Sequence, residues 1–157
     1  MMPSESLRCL VGGNLVGNHQ APVLNPATEE EVGLYHVADE PMLDDAVMAA
    51  TNAFSAWRKT SLAERRAVIS RLADILSSNA IQLAHLLTLE QGKPLAEAKG
   101  EVVGAEAFLR YYATVPGSGP DSLFSVDGID TLRSYAPLGV VAGIVGYSVF
   151  ELLRRKL

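Results

Sequence analysis

Cysteine is almost missing: Cys9 is the only one in 157 residues, so no internal disulfide can staple the chain. The opening residues, MMPSESLRCL, also lack the apolar core of a secretion signal. Together these absences predict a reducing, cytoplasmic setting, with mitochondrial import left open. Positive charge is scarce as well. Thirteen Lys and Arg against 18 Asp and Glu give a net charge of −5, which disfavours nucleic acid as a partner because phosphate binding needs a basic face. The one basic run is Arg154-Arg155-Lys156. No apolar run reaches the roughly 20 residues of a membrane span. The best candidate, residues 136–150, has Gly139 and Gly143 at a helix-dimer spacing and basic residues after it, the ingredients of a tail anchor. It is nevertheless short, has Pro137 near its start and meets Glu151 at its end, so a membrane role is disfavoured. Internal repeats and low-complexity tracts are absent too. What remains is 48% hydrophobic and 20% charged, a globular composition with length enough for one core.

Residues 7–16 place two short apolar runs around Gly12, Gly13 and Asn14, which is hairpin chemistry. Asn25-Pro26 marks a turn, and a third strand is predicted from about Val32 to Val37. Asp39 caps a helix opened by Glu40 and Pro41, with Leu43, Ala46, Val47, Ala50, Phe54 and Trp57 at spacings of three and four. Ser61-Leu62-Ala63-Glu64 reads as a capping box ahead of a stripe of Val68, Ile69, Leu72, Ile75 and Leu76, with Arg65, Arg66, Arg71 and Asp74 largely on the outer side. A third helix, residues 80–90, stops at Gly92, and Pro94 opens a fourth. In that helix Ala98, Val102, Ala105, Leu109 and Tyr112 form the apolar line, and Glu106 pairs with Arg110 one turn on. The clearest linker is residues 116–120, PGSGP. Asp127-Gly128 then signals a second hairpin with one wet face. Residues 140–145 are apolar at every position except Gly143, the pattern of a strand hidden on both faces in a parallel sheet. Ligands of such sheets bind beyond the carboxyl ends of the strands, here near Gly146.

No acid, base and nucleophile set assembles from these residues. Gly92-Lys93 lacks both the upstream Gly and the following Ser or Thr of a phosphate loop, and reads as a helix stop. Gly139, Gly143 and Gly146 miss the spacing of the dinucleotide fingerprint and serve close backbone approach instead. Cys9 lies in an N-terminal hairpin with no His close to it in sequence and reads as a structural thiol. His19, His36 and His85 share no metal-ligand spacing, so no metal site is predicted. Glu90 beside Gly92 reads as a helix-end carboxylate.

Residues 88–103, TLEQGKPLAEAKGEVV, resemble the aldehyde dehydrogenase superfamily, in particular its succinate-semialdehyde dehydrogenase-like branch. In order along the chain, residues 10–16 are similar to the family's opening hairpin, Asn25-Pro26-Ala27-Thr28 to its N-P-A-T turn, and residues 53–57, AFSAW, to the end of its first helix. Residues 137–141, PLGVV, resemble its P-x-G-V-V strand. The resemblance implies an α/β chain: β-hairpins, about four helices and one first parallel strand, the start of an incomplete doubly wound NAD(P)-binding domain. Its boundaries fall at 1–145, with an oligomerisation-type ribbon at 122–135 and a divergent tail at 146–157.

For the whole family the resemblance implies oxidation of an aldehyde by a cysteine thiolate, hydride transfer to NAD or NADP, and a glutamate that activates water. An asparagine of a P-W-N-F-P motif holds the oxyanion. Here Gly146-Tyr147-Ser148-Val149-Phe150 stand in that register, with Ser148 replacing the asparagine. Neither Cys9 nor Glu90 matches the family's catalytic residues, so no catalytic residue is assigned. Ile144 and Val145 correspond to positions that line the cofactor site, and NAD or NADP is not expected to be held by this stretch alone. The abrupt departure after Val145 suggests an altered reading frame. The expected product is a truncated, inactive relative; the alternative is a non-catalytic module that pairs through its ribbon with itself or a full-length relative.

Overall fold

The computed structural model describes residues 8–117 and 122–143. Its first half-turn of chemistry is a two-residue hairpin: β1 (Cys9–Val11) pairs with β2 (Asn14–Val16), Val11 opposite Asn14. Gly12 and Gly13 make the turn at φ of 57° and 87°, a left-handed pair that matches the twist of the flanking strands. Asn14, expected in the turn, opens β2 instead.

A strand absent from the sequence reading follows. β3 (His19–Leu24) pairs antiparallel with β4 (Glu31–Val37), and Pro22 lies inside it, opposite Leu34. Proline interrupts a central strand, but each strand of a two-stranded ribbon has an open edge where no N–H is needed. Between them Asn25 organises the turn: its Oδ1 accepts from Ala27 N at 2.9 Å, and its carbonyl accepts from Glu29 N at 2.8 Å.

Four helices come next. α1 (Glu40–Trp57) begins where Asp39 Oδ1 accepts from Met42 N at 3.0 Å. None of its residues is buried. Its half-buried face is Met42, Ala46, Ala49 and Phe54, whereas Leu43, Val47 and Trp57 of the predicted stripe are exposed. Periodicity finds an apolar face; it does not supply the partner.

α2 (Leu62–Ser78) starts at the expected capping box, with Glu64 N donating to Ser61 Oγ at 3.2 Å and Ser61 N to Glu64 Oε2 at 2.7 Å. α3 (Ala80–Gln91) ends at Gly92, and α4 (Leu95–Thr114) begins after Pro94. α4 packs against both α2 and α3. The core is Ala73 and Leu76 of α2, Leu83, Ala84, Leu86 and Leu87 of α3, and Ala98, Val102 and Leu109 of α4. Two residues of the predicted stripes, Val68 and Tyr112, stay exposed, because a helix in a three-helix layer covers only the arc that meets its neighbours.

The last described hairpin pairs β5 (Ser122–Val126) with β6 (Ile129–Arg133) around Asp127-Gly128. Both of its faces are exposed, not one as expected, because nothing among the described residues lies on either side. The three two-stranded sheets do not join. Of the strand expected at 140–145, Val140 to Gly143 are described, and they pair with no other strand among the described residues. Val141 is 71% and Leu138 93% exposed. A parallel strand takes its hydrogen bonds from neighbours reached through crossover helices, and none is among the described residues.

Candidate functional site

The residues that sequence reading tied to a cofactor, Ile144 and Val145, and Ser148 in the oxyanion register, lie outside the described residues. What the structure brings together is the framework leading to them. Gly92 ends α3 at φ 71°, its N donating to Thr88 O at 2.9 Å. A Cβ at Gly92 would stand 2.8 Å from Pro26 Cγ, so the Asn25-Pro26 turn rests directly on the α3–α4 junction. Lys93, next in line, forms a salt bridge with Glu101 one and a half turns into α4. Two motifs 66 residues apart in the chain thus form one joint.

A second joint fixes the far end of α4. Arg66 of α2 donates through Nη2 to the carbonyls of Val115 and of Thr114, the latter at 3.4 Å. A guanidinium there meets the last carbonyls of a helix, the negative end of its dipole. The apolar stripe of α2 alone places Arg66 largely on the outer side, with Arg65 and Arg71. Its reach depends on α4 lying alongside, for which a single-helix pattern carries no signal. Arg110 binds Glu106 at 2.8 Å, the expected pair, and also Asp74 of α2 at 3.1 Å. The Glu106 hydrogen bond, then that of Asp74, raises the Arg110 pKa further above its already high value.

Cys9 is half-buried, and its Sγ donates to the carbonyl of His36 at 3.5 Å. The His36 ring is buried and holds Gln20 Nε2 at 3.1 Å through its own Nε2. The hairpins therefore bring the Cys9 thiol onto the backbone carbonyl of His36. No group of three His, Cys, Asp or Glu residues among the described residues has the geometry of a metal site. No described helix is long and apolar enough to cross a membrane.

Residues 15–149 match the aldehyde dehydrogenase family. Among curated relatives, a Pseudomonas protein named "Probable aldehyde dehydrogenase" is 37% identical over 150 residues, covering 94% of this chain and 30% of its own length. Glutarate-semialdehyde dehydrogenase of Pseudomonas putida is 36% identical over 135 residues, which is 80% of this chain and 27% of that protein. The crystal structure of succinate-semialdehyde dehydrogenase from Burkholderia pseudomallei superposes with a TM-score of 0.69 at 31% identity, over 77% of this chain and 26% of that one. The chain thus spans less than a third of the length of the relatives it matches.

The family is NAD(P)-dependent. Among the described residues there is no Gly-x-Gly-x-x-Gly run, and no helix begins at the carboxyl end of a parallel strand. Opening hairpin, Asn-Pro turn, four helices and ribbon instead form a framework in the family's own order, and by sequence and by fold this chain belongs to the aldehyde dehydrogenase family.

Proposed function

We propose that this chain is a structural portion of an NAD(P)-dependent enzyme that oxidises a short semialdehyde carrying an acidic group, and that alone it catalyses nothing. The observation that carries the proposal is the match over residues 15–149 to a family in which similar members act on glutarate and succinate semialdehydes. No residue of this sequence stands in the register of the family's thiol nucleophile or its glutamate. Loss of a nucleophile by itself removes several orders of magnitude of rate. The test is aldehyde-dependent reduction of NAD and of NADP by the purified chain with succinate and glutarate semialdehydes. Absence of turnover is expected; turnover that survives Cys9→Ala would overturn the proposal. The setting that fits is the cytoplasm.

The ribbon favours a second reading. Leu123, Phe124, Val126, Ile129 and Leu132 are all exposed on a two-stranded sheet with open edges, a surface suited to pairing with another copy or with a full-length relative. Light scattering at rising concentration tests it: the chain self-associates, and Leu123→Asp with Leu132→Asp reduces the association. A monomer at every concentration, with no uptake into a full-length relative, removes this reading.

A further inference from the structure

Asp127-Gly128 is the one Asp-Gly pair in the chain, and the fold sets it at the tip of the β5–β6 ribbon. Val126 pairs with Ile129 across the tip, so these two residues make up the whole turn. Asp127 stands at φ 53° and Gly128 at φ 76°, the left-handed backbone that a two-residue hairpin needs. Both are exposed. The pair that closes the ladder is Val126 and Ile129, which leaves the Gly128 N–H in the turn and outside the ladder. A Cβ added at Gly128 would meet nothing within 4 Å, so the space beside it is open.

Attack by a backbone nitrogen on the preceding aspartate carboxyl closes a five-membered ring. A side chain on the attacking residue crowds that approach, and glycine has none. Every other described aspartate precedes a residue with a Cβ: Asp39 before Glu40, Asp44 before Asp45, Asp45 before Ala46, Asp74 before Ile75 and Asp130 before Thr131. Asp44, Asp45 and Asp74 also lie inside helices, where the next nitrogen is held by the helical hydrogen bonds.

We propose that Asp127-Gly128 is a site of spontaneous isomerisation, at which aspartate converts to isoaspartate and the ribbon loses its register. The Gly128 nitrogen attacks Cγ of Asp127. The N–Cγ bond forms, and the carboxyl hydroxyl leaves as water with the amide proton, giving a succinimide. Water then adds to one of the two ring carbonyls. Addition at Cγ restores aspartate; addition at the main-chain carbonyl breaks its bond to nitrogen and leaves Gly128 joined through Cγ. Water is released once and consumed once, and nothing is oxidised or reduced. Isoaspartate lengthens the main chain by one methylene inside a turn of two residues. Turn geometry fixes hairpin register, here Leu123 opposite Leu132 and Phe124 opposite Thr131. No described residue covers either face of the ribbon to hold those pairs in place. The core of α2, α3 and α4 contains no ribbon residue, so the change is local.

The test incubates the folded chain in mildly acidic buffer, where the carboxyl more often carries the proton its hydroxyl needs to leave. Each aspartate is followed by peptide mapping with electron-transfer fragmentation, which separates isoaspartate from aspartate at equal mass. Isoaspartate is expected at Asp127, with about a tenth of that yield or less at Asp130 and Asp74, a barrier difference of at least about 1.4 kcal/mol. Asp127→Asn suits the turn equally, reaches the same succinimide by losing ammonia, and converts faster. Asp127→Glu would require a six-membered ring and stays unconverted. In aged protein, amide hydrogen exchange rises across residues 122–126 and 129–133 and is unchanged in α2, α3 and α4. No isoaspartate at Asp127 in the folded chain, over a period in which the urea-unfolded chain forms it there, overturns the proposal. Equal conversion at Asp130 overturns it too, as does a converted ribbon that exchanges no faster than the fresh one. None of these readouts involves an aldehyde, a cofactor or a second chain.

Discussion

Two regions of this chain use the same kinds of residue to opposite ends. In α2, α3 and α4 the leucines and valines are covered: Leu76, Leu87 and Val102 have under 2% of their surface left. In the ribbon β5–β6 every residue is exposed, leucines included. Hydrophobicity is therefore not what separates a core from an interface here. The difference is whether the covering layer is local. Helices joined by short connections find one another within a few dozen residues, whereas the ribbon is a single hairpin whose faces need a partner from elsewhere.

The sharpest way to break this comparison is a matched pair of truncations. Leu87→Ala removes a side chain that is 1% exposed and should cost about 2–5 kcal/mol of unfolding free energy. Leu123→Ala, at a residue 69% exposed, should fall within about 0.5 kcal/mol in the isolated chain. Urea titration of both variants checks this. Equal losses would mean that the ribbon is already covered in solution.

A smaller effect is expected where the helical body meets the amino-terminal turn. Gly92→Ala forces a side chain into a left-handed backbone and against Pro26, at a cost of about 1–3 kcal/mol. Pro26→Ala in the same background should recover part of that loss, because it removes the atoms that the new Cβ would meet. Additive losses from the two changes would show that backbone strain alone sets the cost.

This joint also marks how far the sequence was readable. The features it disclosed are those decided within a few residues: the Asp39 cap, the capping box at Ser61 and Glu64, the Gly92 stop and the Asp127-Gly128 turn. The hidden features depend on elements remote in the chain. Pro22 stands in a strand because β3 has an open edge, and Arg66 turns inward because the end of α4 lies beside it. Tyr112 and Leu43 continue a periodic stripe, yet both are exposed, since periodicity names a face and the fold chooses what covers it. Of the candidate site, the family motifs and their order were legible. The contact of Gly92 with Pro26 was not, because no local pattern links residues 66 apart.

The smallest effect concerns the start of α2, and its sign is fixed by one carboxylate. Glu64 accepts a hydrogen bond from the backbone N of Ser61, and this, followed by the Ser61 side chain, lowers its pKa from the ordinary 4.5. A carboxylate with a lowered pKa in the folded chain binds fewer protons there than in the unfolded chain across the interval between the two values. Stability from this group is therefore complete above pH 4.5 and is lost as the pH falls through the lower folded value. Glu64→Gln keeps an oxygen that can close the capping box but removes the titration. Urea midpoints measured across the acid range should fall more steeply for the native chain than for Glu64→Gln, with the two curves converging once the carboxylate is protonated. Ser61→Ala removes the side-chain half of the box and should cost about 1 kcal/mol at neutral pH. Because α2 belongs to the covered half of the molecule, both changes should move the cooperative unfolding of α2, α3 and α4 together. A shift confined to the ribbon, or acid limbs of equal slope in native and Glu64→Gln chains, would show that the start of α2 does not share in the stability of the body it opens.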